Sequence, residues 1–191
     1  MMDRLYLSYW MRGYTEHNML RHYATALRKF PFSRLSPSIQ LRIFEDELVE
    51  PPIFEHLYDG PNDFDLMLDE AKHHQAANYG YELEAQWDLW QWAHKEWSLA
   101  PVRVSLFCFG PAFDALNRDH LEIDFGLEGH FLPHPASTGN SLPMVQSNIR
   151  SLLKFVQDLD GSLNAERRQL WSESGDNFAA RLESALMLTQ S

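Results

Sequence analysis

Two hydrophobic periods alternate along the chain and mark out its elements. Leu5, Leu7, Tyr9 and Met11 fall on one side of a short strand that Arg12 closes. Thr15 is placed to cap a helix running to Phe30, with Leu20, Tyr23, Leu27 and Phe30 along one stripe. Pro31 and Pro37 follow it, and Ser38 to Phe44 then alternates as a half-buried strand, Ile39, Leu41 and Ile43 against Ser38, Gln40 and Arg42. The stretch from Glu45 to Pro61 is irregular. Asn62 or Asp63 can cap a second helix bearing Phe64, Met67, Leu68 and Ala71, with Gly80 as its far boundary.

Tyr81 to Leu89 alternates without a break, Tyr81, Leu83, Ala85, Trp87 and Leu89 against Glu82, Glu84, Gln86 and Asp88. A helical reading competes here, because Leu83, Trp87, Trp90, His94 and Trp97 also step by fours and threes. The unbroken alternation and the aromatic content favour a strand. On this reading the phase changes after Leu89, which would carry Trp90 and Trp92 to the other face, beside Trp10. Val102 to Phe109 forms the next strand, ended by Gly110-Pro111, and Leu121 to Leu127 the one after. A loop over 129–139 leads to the strongest helical pattern, Leu142, Val145, Ile149, Leu152, Val156 and Leu159, with Ser141 as cap and Pro143 in the first turn. Two shorter helical stretches are expected at Ala165–Trp171 and Asp176–Leu188.

The predicted order is β-α-β-α-β-β-β-α-α, an α+β domain with a mixed, mainly antiparallel sheet of about five strands and helices on one face. The β-α-β start predicts a parallel pair joined by a right-handed crossover, and the three later strands an antiparallel meander. Residues 1–160 form the domain and 161–191 a helical appendage packed on it. In element order alone this is similar in outline to a ferredoxin-like sandwich, and such a likeness fixes no function.

Composition narrows the classes. Of 191 residues, 45% are hydrophobic and 13% aromatic, enough for a packed core. The only cysteine, Cys108, rules out an internal disulfide and falls on the apolar side of its strand, where a thiol is inert. No secretory leader or apolar run of about 20 residues is seen, so a cytoplasmic, non-membrane protein is expected. The formal net charge is −11, and it is uneven. Between Ile43 and Ala71 there is no Lys or Arg, but there are Glu45, Asp46, Glu47, Glu50, Glu55, Asp59, Asp63, Asp65, Asp69 and Glu70. The rest of the chain is almost neutral. Such a segment is ordinarily a solvated face, but it can also steer a basic partner.

Chemistry-bearing motifs are few. There is no phosphate-binding glycine loop and no nucleophile elbow, and no basic cluster larger than Arg28-Lys29 or Arg167-Arg168 to neutralise a polyanion. Nucleic acid is therefore excluded as a partner, and no cofactor is expected. A metal reading would use Glu128, His130 and His134, although Pro133 denies the two histidines a helical chelate spacing. The sheet face away from the helices would carry Trp10, Arg42, Glu82, Glu84, Arg103, Glu122 and Asp124, as solvated charge pairs or as a polar ligand groove.

Two functions from different classes follow. The leading one is a non-enzymatic module that binds a protein partner, or its own copy as a homodimer, through Glu45, Asp46, Glu47 and Glu50 and through Trp90, Trp92 and Trp97. An acidic, antitoxin-like or immunity-like inhibitor of a basic protein is one concrete form. The other is a small-molecule or metal-dependent enzyme with a carboxylate/histidine site on the second sheet face and the 128–134 loop.

Overall fold

The computed structural model describes residues 3–114, 118–132, 142–175 and 177–188. Its elements run β1 (Arg4–Met11), α1 (Glu16–Lys29), β2 (Ile39–Glu45), β3 (Phe54–Tyr58), α2 (Phe64–His73), β4 (Tyr79–Ala93), β5 (Glu96–Phe109), β6 (Leu121–Leu127), α3 (Leu142–Asp160), β7 (Ala165–Ser172) and α4 (Phe178–Leu188). Single 3-10 turns stand at Pro61–Asp63 and Glu128–His130. The strands form one seven-stranded sheet in the order β3-β2-β4-β5-β6-β1-β7, and every neighbouring pair is antiparallel.

The α+β class holds, and three finer expectations are corrected. The sheet has seven strands, not about five, which departs from the ferredoxin-like outline. The first two strands do not pair in parallel, because β4, β5 and β6 lie between them. Ala165–Trp171 is not helical: β7 pairs with β1 from Leu5↔Ser172 to Met11↔Ala165, and so belongs to the sheet. Its Ala, Glu, Arg, Gln and Leu are helix formers, but the unfilled edge of β1 offers backbone partners that outweigh a weak intrinsic preference.

Alternation decides which side chains meet the helices. Leu5 and Leu7 of β1, Leu41 and Ile43 of β2, Tyr81 and Leu83 of β4, Val104 and Leu106 of β5, and Ile123 and Phe125 of β6 are all at most 2% exposed. They share one cluster with Tyr23 and Leu27 of α1, Met67 and Ala71 of α2, Leu152 and Phe155 of α3, and Phe178 and Leu182 of α4. All four helices therefore cover the same sheet face, and each fully buried aliphatic side chain contributes about 1.5–3 kcal/mol. No helix among the described residues is long and apolar enough to cross a membrane.

The β4–β5 hairpin sets the shape of the open side. Its strands pair from Gly80↔Phe109 to Ala93↔Glu96, but β2 accompanies β4 only to Glu84 and β6 accompanies β5 only from Ser105. Beyond those points it is a two-stranded ribbon, closed by His94 and Lys95 at φ 53° and 68°. That is the left-handed pair a two-residue hairpin turn demands. Asn148 of α3 secures the ribbon from the core side: its Oδ1 accepts from the Trp90 N–H, and its Nδ2 donates to the carbonyls of Trp90 and His130, each at 2.9 Å.

Candidate functional site

The second sheet face carries charges in rows set by the register. Arg42 of β2 stands opposite Glu82 of β4 on one side and Glu55 of β3 on the other. Its guanidinium donates to Glu82 at 2.6 Å and to Glu50 at 2.7 Å, and Ser105 of β5 donates to the other Glu82 oxygen at 2.9 Å. This linkage lets Glu82 lie only 5% exposed on a face no helix covers. Arg103 reaches Glu84 at 2.7 Å, while Asp124 of β6 accepts from Arg4 of β1 at 2.6 Å. The carboxylates on either side of Arg103 are thus divided between two arginines.

Three of the expected face residues, Glu82, Arg103 and Asp124, meet His130 around a depression of about 450 Å³ where β5 parts from β6. Arg4, Ser105 and Phe107 complete its working surface. Burial lowers the His130 pKa, so the imidazole is neutral near pH 7. Glu84 joins this group through Arg103, and Arg42 lies beneath it through Glu82.

Trp10 and Glu122 belong elsewhere. Trp10 has the Arg167 guanidinium 4.2 Å above its ring and is not beside Trp90 or Trp92. Glu122 is half-buried beside Asp119. Its pKa is raised to about 8, first by desolvation and then by the Asp119 charge. Nearby, Phe44, Phe109 and Phe113 form a second small core on the open face, with Arg118 stacked 3.8 Å over Phe109. Gly80 makes room for it, since a Cβ there would stand 2.7 Å from the Phe113 ring. Sequence reading missed Arg4, Arg118 and Asp119. Arg4 and Asp119 lie at strand margins, where alternation gives no signal.

The metal constellation does not assemble among the described residues. Both Glu128 oxygens are taken: Arg181 of α4 donates to each, at 2.8 and 2.5 Å, and Ser172 of β7 donates at 3.0 Å. His130 faces the depression instead, and His134 lies outside the described residues. No group of three or more His, Cys, Asp or Glu side chains among the described residues could hold a metal ion.

Comparison with known families, curated proteins and solved structures finds no match. Geometry and chemistry alone therefore carry the functional reading.

The tryptophans sit on the ribbon. The strand continues through Ala93 without the expected phase change, so parity alone places Trp90 and Trp92 with Glu82 and Glu84 on the open side. Trp92 and Trp97 are opposite one another, ring centroids 5.8 Å apart, and Trp90 faces Leu99. Trp92 is 60% exposed.

The acidic segment becomes two structures and the link between them. Part of it lies on α2, where Asp65, Asp69 and Glu70 face Arg28, Lys72 and His74. Asp59 and Asp63 lie in the link from β3 to α2, and the remaining acids are on the β2–β3 hairpin. There Glu50 meets Arg42, Asn78 donates to Glu45 and Asp46, and Gln40 donates to Glu55. Among the described residues no cation pairs with Glu45, Asp46, Glu47 or Glu55. Leu48, Val49, Ile53 and Leu57 are exposed in the same hairpin.

Proposed function

We propose that this chain is a non-enzymatic binding domain that docks a basic protein partner through its β2–β3 hairpin. The observation that carries this is the mixture on the hairpin: exposed Leu48, Val49, Ile53 and Leu57 interleaved with the acids Glu45, Asp46, Glu47 and Glu55. Apolar area drives association once water is excluded, and the surrounding charge steers and selects the partner. Exposed Trp92, backed by half-buried Trp97 on the ribbon, is a second contact surface for the same or another protein. An inhibitor of a basic protein remains one concrete form of this function.

The reading is tested by immobilising the domain and a Glu45→Lys/Glu47→Lys/Glu55→Lys variant and passing cell extract over each. A basic polypeptide should be retained by the native domain, released by rising salt, and absent from the variant. Retention indifferent to salt or to the three substitutions would contradict it, and so would self-association that outcompetes any partner.

A second reading is favoured by the depression. Glu82, Asp124, Arg103, Ser105 and His130 around about 450 Å³ are placed to hold a small polar ligand, with the neutral imidazole available for proton transfer. His130→Ala should then abolish binding of small anions or zwitterions detected by chemical-shift changes at Arg103 and Gly126. Shifts unaffected by that substitution would remove this reading.

A further inference from the structure

The sheet has two outer strands, and they are finished differently. On β7, Leu170 is part-buried against the core, Arg168 is tied to Asp160 at 3.0 Å, and α4 packs alongside. Charged side chains and a covering helix are the usual means of closing an edge. On β3, by contrast, no described residue hydrogen-bonds to the outer side of Phe54–Tyr58, and Glu55, His56 and Leu57 are exposed. Leu57 alone is 65% exposed.

Acids approach this edge from both faces. Glu55 and Leu57 point to the open side, by their register opposite Arg42 and Gln40. On the helix side Asp63 accepts from the Asp59 N–H at 3.1 Å, just beyond the end of the strand, and Glu70 lies 3.5 Å from His74. His74 packs on Phe54 at 4.9 Å, so this flank of α2 runs along β3. Leu66, one helical turn before Glu70 on that flank, is 65% exposed. An added strand would therefore meet a leucine and carboxylates on each face, along a ladder of unused backbone groups.

We propose that the free edge of β3 accepts an extended segment of the partner as an eighth strand, in which paired lysines or arginines flank a pair of apolar residues, so that each face carries both cations and an apolar side chain. The proposal rests on the binding reading above and specifies its geometry. Backbone bonds to β3 supply strand pairing. Cations of the added strand meet Glu55 on one face and Asp63 and Glu70 on the other, and its apolar side chains cover Leu57 and Leu66. A second copy of this chain is the less favoured occupant, since its own β3 edge is acidic and would repel.

The probe is the peptide acetyl-Lys-Lys-Val-Val-Lys-Lys-amide, and the control replaces both valines with proline, keeping the charge and breaking the ladder. Amide hydrogen exchange of the full chain is followed by NMR. The alternate, outward amides of Phe54–Tyr58 should slow about tenfold with the first peptide at ten times its Kd. They should not slow with the proline peptide, and Glu55→Lys, an exposed change, should weaken binding. Equal effects of both peptides, shifts confined to other elements, or no binding at all would overturn strand addition. Protection of the same amides at high protein concentration without peptide would assign the edge to a second copy and also overturn it. Extract retention that still depends on Glu45 and Glu47 would leave the binding reading standing while this geometry fell.

Discussion

Glu122 is the residue whose chemistry departs furthest from its exposed counterpart among the carboxylates. Desolvation first, and the Asp119 charge second, hold its pKa near 8 against 4.5 for an ordinary glutamate. A group whose folded pKa is raised binds its proton more tightly in the fold than in the unfolded chain. Its contribution is therefore complete below the ordinary carboxylate range and fades as pH climbs from about 4.5 to about 8. Urea midpoints measured from pH 5 to 8.5 should fall across that window, and in Glu122→Gln the fall should shrink. A slope unchanged by the substitution would mean that Glu122 is ionised throughout. Asn148 is the other residue with an outsized role, since one amide satisfies three backbone groups on two elements. Asn148→Ala should cost about 3 kcal/mol in denaturant unfolding, the usual penalty when buried polar groups lose their partners. Asn148 is 2% exposed and lies on the apolar stripe with Val145 and Leu152, and a polar residue on such a stripe is itself the signal of a satisfied network. Alternation located the Cys108 thiol correctly too: it is fully buried, its pKa pushed up to about 12 by desolvation.

Among the elements, β1, β2, β4 and β6 were legible because each has one buried and one polar face over at least seven residues. The edge strands were not. β3 is five residues long, with apolar side chains on both faces, Phe54 and Tyr58 on one and Leu57 on the other. β7 has helix-forming composition and takes its conformation from β1. An edge strand buries little on its own account, so its sequence carries little alternation for a reader to find. The far end of the β4–β5 ribbon also went unseen, because its turn uses His94 and Lys95 where Asn-Gly would announce it. Of the two, Lys95 is held at positive φ without a side chain that favours it. Lys95→Gly should therefore stabilise the chain by about 1 kcal/mol in thermal or urea unfolding, and a destabilised variant would show that Lys95 makes a contact worth more than its strain.

For the molecule as a whole, the sheet divides labour between its faces. Four helices and the alternating strands place the core on one face. The other face is held closed by ion pairs, a phenylalanine cluster and the Arg42–Glu82–Ser105 linkage. The candidate site was partly legible: parity put Glu82, Arg103 and Asp124 on one face, but joining them to His130 needed the divergence of β5 from β6, which no local pattern encodes. The charge asymmetry was legible in full, yet its division between a neutralised helix and an unneutralised hairpin depended on partners from α1 and β2. Four carboxylates without a cation among the described residues, Glu45, Asp46, Glu47 and Glu55, thus stand beside the exposed leucines of β2–β3. The most direct test is hydrogen–deuterium exchange of the full chain with and without the basic polypeptide it retains. Protection centred on residues 45–58 is the predicted result. Protection confined to the depression around Arg103 and His130, or spread evenly over the chain, would contradict the account.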